Sequence, residues 1–149
     1  MAKSVREAAM DSLARREHGS RELRRKLVDK GYAPDEVVET LELLCREGLL
    51  SDERFTEAFL HSRLNRGSGP RKIAAELQQR GIDDSLISQF LDERDRNWYA
   101  RASEARQKRF GPGLPDDFKE KARQARFLQQ RGFSSEQVRF ALQDDALIN

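Results

Sequence analysis

The chain has 149 residues, 37% apolar and 36% charged, against about a quarter charged in an average globular domain. So little apolar material excludes a broad sheet covered on both faces and favours several small helical cores. The 28 Lys and Arg against 26 Asp and Glu leave a formal charge of +2, which excludes a polycation that coats DNA through bulk electrostatics.

In chain order, the first helix is expected over 4–17, the second over 20–30 and the third over 34–47, with Pro34 at a first-turn position. A second set follows over 52–66, 70–80 and 84–96, its first two members separated by Gly67-Ser68-Gly69-Pro70. A third set is expected over 98–109, 116–131 and 135–144, with Gly111-Pro112-Gly113-Leu114-Pro115 as the looser equivalent of that turn. The three sets are copies of one unit. A shift of fifty residues superposes Val5 on Phe55, Ala9 on Phe59, Arg21 on Arg71, Leu23 on Ile73, Leu27 on Leu77, Lys30 on Arg80, Gly31 on Gly81 and Tyr32 on Ile82. A shift of fifty-one carries Leu77, Arg80, Gly81, Ile82, Ile87 and Leu91 onto Leu128, Arg131, Gly132, Phe133, Val138 and Leu142. The shared string of Leu, two residues, Lys or Arg, Gly and an apolar residue is a helix stop. The Gly takes positive φ, the basic residue suits the helix C-terminal dipole, and the apolar residue folds back on the ended helix. Three tandem three-helix repeats, over 1–50, 51–97 and 98–149, are therefore expected to stack into an elongated, curved all-α array.

The small net charge conceals local segregation. Residues 15–30 carry seven basic against three acidic side chains, and residues 101–131 carry nine against four. The third helices run the other way, with Asp35, Glu36, Glu39, Glu42 and Glu47 against Arg46 in the first repeat. Stacking of equivalent helices is expected to turn this alternation into one basic and one acidic surface, suited to a partner of both signs such as a protein-coated nucleic acid.

Catalytic signatures are missing. There is no Gly-x-x-x-x-Gly-Lys-Ser/Thr phosphate loop and no His-Glu-x-x-His. One cysteine and two histidines cannot build a disulfide framework, a multi-Cys zinc site or a His-rich metal centre, and they fit a reducing cytosol. Cys45 lies in the stripe Leu41, Leu44, Cys45 and reads as a small core residue. His18 and His61 read as surface or half-buried groups. At least one ring of Trp98-Tyr99 is expected in the core, and Phe110, Phe118, Phe127, Phe133 and Phe140 read as packing. No catalytic residue, metal or cofactor is expected. The N-terminus lacks the apolar run of a signal peptide and no stretch is long and apolar enough to span a bilayer, so a soluble, cytoplasmic protein without membrane contact is expected.

The string Glu47-Gly48-Leu49-Leu50-Ser51-Asp52-Glu53-Arg54-Phe55, followed by Arg66-Gly67-Ser68-Gly69-Pro70-Arg71-Lys72-Ile73 and Glu76-Leu77-x-x-Arg80-Gly81-Ile82, resembles the RecX regulatory proteins of bacteria. Arg21-Glu22-Leu23-Arg24-Arg25-Lys26-Leu27 and Arg126-Phe127-Leu128-x-x-Arg131-Gly132-Phe133 resemble the first and third repeats of that family. The resemblance implies a non-catalytic modulator, chiefly an inhibitor, that sits in the groove of the RecA filament on single-stranded DNA. It would restrain ATP turnover, strand exchange and coprotease action, and a monomer is expected. Candidate contacts to recombinase or DNA are Arg21, Arg24, Arg25 and Lys26 on the first repeat, Arg63, Arg66, Arg71 and Lys72 around the Gly67–Pro70 turn, and Lys119, Lys121, Arg123 and Arg126 on the third. Two positions depart from the pattern. Ser68 stands where the family often has an aromatic residue, and Gln124 stands where the other repeats have Leu23 and Ile73, which predicts looser packing of the last repeat. The alternative reading is a stand-alone DNA-binding protein built from helix-turn-helix-like units.

Overall fold

A computed structural model describes residues 3–143. The described residues form nine α-helices and no strand: α1 Val5–Arg15, α2 Ser20–Asp29, α3 Pro34–Arg46, α4 Asp52–Asn65, α5 Pro70–Gln79, α6 Asp84–Phe90, α7 Asn97–Phe110, α8 Phe118–Gln130 and α9 Ser135–Leu142. The all-α expectation holds. So does the repeated helix stop: Gly31, Gly81 and Gly132 have φ of 104°, 82° and 100°. Behind each glycine the following amide reaches back five residues, Tyr32 to Leu27, Ile82 to Leu77 and Phe133 to Leu128, at 3.1–3.2 Å.

Several starts are as local as the stops. Ser4 accepts from the Glu7 amide, Asp117 from the Glu120 amide, and Ser134 and Gln137 cap one another reciprocally at the head of α9. Asp117 as cap explains why α8 begins at Phe118 rather than at 116.

Contacts divide the chain into two compact units, Met1–Phe59 with Leu77–Phe90, and Leu60–Glu76 with Leu91–Asn149, so the middle repeat contributes to both. In the first unit Val5, Ala9, Leu23, Leu27, Val37, Leu41, Leu44 and Leu50 form the core of α1–α3. Each fully buried Leu there contributes about 1.5–3 kcal/mol relative to exposure. In the second unit Trp98 and Ala102 of α7 are buried with Leu128, Phe133, Val138 and Leu142 of α8, its C-terminal turn and α9.

Three expectations are corrected. First, α6 stops at Phe90 instead of running to 96. The Asp92 and Asp95 carboxylates accept from the Arg94 and Asn97 amides, both at 2.9 Å. Trp98 Nε1 and Gln137 Nε2 take the carbonyls of Asp92 and Glu93. Side chains thus claim the backbone groups that a continued helix would use. Second, Cys45 is exposed. Desolvation, with the Asp52 and Glu42 carboxylates, raises its thiol pKa, which leaves little thiolate at neutral pH. Third, Phe118 is 85% exposed and Phe140, against the Tyr99 ring at 5.1 Å, is 44% exposed, whereas Phe133 is buried.

Candidate functional site

In the first unit the C-terminal end of α1, helix α2 and the end of α5 surround a groove of about 880 Å³ lined by Arg16, Arg21, Glu22, Arg25, Lys26, Asp29, Gln79 and Arg80. Three of the expected contacts, Arg21, Arg25 and Lys26, meet there; Arg24 is exposed on the same helix outside the lining. Sequence reading missed Arg16 and Arg80. At the centre Glu22 accepts from Arg16 Nη1 and Nη2 at 3.1 and 3.0 Å and from Arg80 Nη1 at 2.8 Å. Burial pushes the Glu22 carboxyl up, but the hydrogen bonds and charge of Arg16, with His18 and Arg80, outweigh it and hold the group below its ordinary pKa. Arg80 also lies 5.0 Å from the Phe59 ring centroid and 5.9 Å from that of Phe55.

The Ser51–Phe55 string turns out to hold this corner together. Asp52 Oδ1 accepts from the Ser20 amide at 2.7 Å and Oδ2 from the Ser20 hydroxyl at 3.1 Å, which caps α2 from a distant helix. Arg54 pairs with Glu17 at 3.0 Å, and Phe55 is buried beneath Arg80. His18, expected near the surface, is instead 1% exposed, its Nδ1 on the Arg16 carbonyl at 3.0 Å and its Nε2 buried without a partner.

The second unit holds a smaller groove of about 370 Å³ between the end of α4, α7 and α8. Its apolar floor is Leu64, Ala105 and Phe127; Arg66, Arg101, Lys108, Arg109 and Arg131 stand around it, with Glu104 the one carboxylate among the lining residues. Arg131 Nη1 donates to the Arg66 carbonyl at 3.0 Å and lies 5.0 Å from the Phe127 centroid. Arg109 lies 5.9 Å from Phe127 and 5.3 Å from Phe110, and those two rings meet edge to face at 5.2 Å. Of the expected contacts only Arg66 lines this groove. Arg101, Lys108 and Arg109 were legible only as members of a basic segment, and Arg131 only as the basic residue of the third helix stop.

The remaining expected residues are spread out. Arg63 turns inward to Glu76 at 3.2 Å, with its side chain 14% exposed. Arg71 is exposed and pairs with Glu93. Lys72 is exposed, but its backbone and Cβ back so closely on Gly132 that a Cβ there would meet them at 2.4–3.0 Å. On α8, Lys119 and Arg126 are exposed, Lys121 is half-buried, and Arg123 pairs with Glu120 at 2.7 Å; none of the four lines the groove. Among the described residues no three His, Cys, Asp or Glu side chains are placed to hold a metal ion, and no helix is long and apolar enough to cross a membrane.

Models of the first, second and third three-helix domains of RecX match residues 6–44, 51–91 and 95–142. The regulatory protein RecX of Halorhodospira halophila is 50% identical over 138 residues, 93% of this chain and 86% of that protein. That of Pseudomonas entomophila is 49% identical over 136 residues, 91% and 87% of the two chains. The crystal structure of RecX from Lactobacillus salivarius shares the fold, with a TM-score of 0.74 at 20% identity over 97% of this chain and 96% of that one. With the three domain models matched in chain order and half the residues shared across most of a relative's length, the chain belongs to the RecX family of regulatory proteins.

Proposed function

We propose that this chain binds the RecA recombinase filament on single-stranded DNA and restrains its ATP turnover, strand exchange and coprotease action. Membership of the RecX regulatory family supports the regulatory part of this reading. The observation that carries the binding part is the cluster of five cations against one carboxylate in the groove of α4, α7 and α8, on a chain whose total charge is only +2. Phosphates are bound by such local clusters with counterion release, whereas the acidic third helices suit basic protein surfaces. The mechanism is steric and electrostatic: the helices occupy the filament groove, bridge recombinase and nucleic acid, and bias the filament away from its active geometry. It needs no cofactor and no catalytic residue, and it takes the protein to act as a cytoplasmic monomer.

The test is the single-strand-dependent ATPase of purified RecA with and without this protein at low salt. Inhibition at one copy per several recombinase subunits, relieved by added salt, is expected. Undiminished turnover, or tight sequence-selective duplex binding without recombinase, would replace this reading with a stand-alone DNA-binding one.

A further inference from the structure

We infer that the two basic grooves are built on one equivalent pair of arginines: in the first the pair is closed by its own carboxylate, Glu22, and in the second it is open and takes the phosphates of a single-stranded nucleic acid. The ligand class rests on the function proposed above; the difference between the grooves does not.

The repeat register makes the comparison direct. Arg16 and Arg66 are equivalent at the fifty-residue shift, and Arg80 and Arg131 at fifty-one. In each unit the structure brings the two equivalents to one groove, Arg16 with Arg80 and Arg66 with Arg131. The register sets Lys72 opposite Glu22, and Lys72 does not line the second groove, so no carboxylate stands there in the place of Glu22. In the first groove the Glu22 carboxylate occupies both arginines with bonds of 2.8–3.1 Å, which is what a bound phosphate would do. In the second, no carboxylate among the described residues bridges the pair. Arg131 spends one N–H on the Arg66 carbonyl, which holds its guanidinium in place and leaves its other donors open. Helix α7 then adds Arg101, Lys108 and Arg109 around the same space.

The floor indicates which phosphates. Duplex DNA presents only its backbone to a groove of this size, and an apolar floor would gain nothing from it. An unstacked base has a face to bury, and Phe127, flanked by Arg109 and Arg131, supplies an aromatic surface beside cations that track the backbone.

Fluorescence anisotropy with a labelled oligothymidylate, at low salt and without RecA, separates the two grooves. R101E/R109E is expected to weaken binding at least tenfold and to reduce the slope of log K against log salt by about 0.7 per cation removed. R21E/R25E should change affinity less than threefold. E22Q, which frees Arg16 and Arg80, should tighten binding severalfold and steepen the slope. Circular dichroism checks that each variant keeps its helices, and if E22Q loses them the comparison of the two double variants still decides. Equal losses in the two double variants, full affinity in R101E/R109E, or a larger loss on a duplex of the same length would overturn the inference. Inhibition of RecA by a wild-type chain whose R101E/R109E variant still binds oligothymidylate would overturn it and leave the regulatory reading standing. Groove-dependent binding with untouched ATPase would do the reverse.

Discussion

Arg106 is the largest fully buried side chain among the described residues, 1% exposed, and the acceptors of its Nη atoms are carbonyl oxygens and not carboxylates. Its Nη atoms donate to the carbonyls of Gly113 and Pro112 and to Gln124 Oε1 at 3.1–3.4 Å, and Gln124 passes the polarity on to Glu120 at 3.1 Å. Gln124, read from sequence as a loosely packed substitute for Leu, is therefore the acceptor that makes a buried guanidinium tolerable. Gln124→Leu alone should cost about 1–3 kcal/mol, because it strands a donor. Arg106→Met with Gln124→Leu should restore wild-type stability or exceed it, since an apolar pair of similar volume avoids charge burial. Urea denaturation of the two variants and the parent measures this. His18 yields a second expectation. Burial, the largest influence, lowers its pKa in the folded protein, with Arg16 and Lys26 adding to it against the Arg16 carbonyl and Glu22. The unfolded chain then binds a proton near pH 6.5 that the folded chain refuses, so stability falls as pH drops below about 6.5. His18→Gln should flatten the melting temperature between pH 7 and 5; an unchanged slope would mean that His18 does not set it. Neither residue's environment was legible beforehand, because a lone Arg or His on a helix carries no local mark of the tertiary contact that buries it.

At the scale of elements, what was legible is what local chemistry decides. The Leu-x-x-basic-Gly-apolar stops act through bonds within six residues, and they stand where the repeat placed them. The end of α6 was not legible because it depends on Trp98 and on Gln137, forty-four residues from the carbonyl it binds. Exposure of Phe118 and Cys45 likewise depends on which face of a short helix finds a partner. Of the twelve candidate contacts, Arg21, Arg25 and Lys26 of α2 line one groove and Arg66 the other, the four on α8 line neither, and the α7 cations were not singled out. The junction of α5 with the end of α8 is a backbone-to-backbone contact between elements. Gly69 and Arg71 amides donate to the Arg131 and Gly132 carbonyls at 2.6 and 2.9 Å, and a Cβ on Gly69 would stand 2.4–2.6 Å from backbone atoms of Gly132 and Phe133. Backbone cannot step aside as a flexible side chain does. Gly69→Ala should therefore cost about 3 kcal/mol, the upper end of overpacking penalties. Gly113→Ala, with nothing within 4 Å of its added carbon, should stay within about 0.5 kcal/mol. Melting temperatures of the pair distinguish a steric junction from a general intolerance of Ala for Gly.

For the whole molecule, a total of +2 is uninformative about nucleic-acid binding because the charges are sorted before they are summed. At 0.1 M salt the screening length is about 10 Å, so a phosphate responds to the cations around it and hardly to distant carboxylates. Glu36, Glu39 and Glu42 are exposed on α3 and line neither groove. Replacing all three by Gln raises the formal charge from +2 to +5, as large a change as many DNA-binding surfaces carry. If net charge governs affinity, that variant should bind oligothymidylate much more tightly and with a steeper salt dependence. If local cradles govern it, affinity at 0.1 M salt should move less than threefold and the slope should stay where it was. The same triple variant separates the two roles given to this protein's charges. Acidic helices that face a basic protein surface should show their loss in weaker inhibition of RecA turnover while single-strand affinity is unchanged, and loss of neither would leave α3 as a solvated helix with no share in recognition.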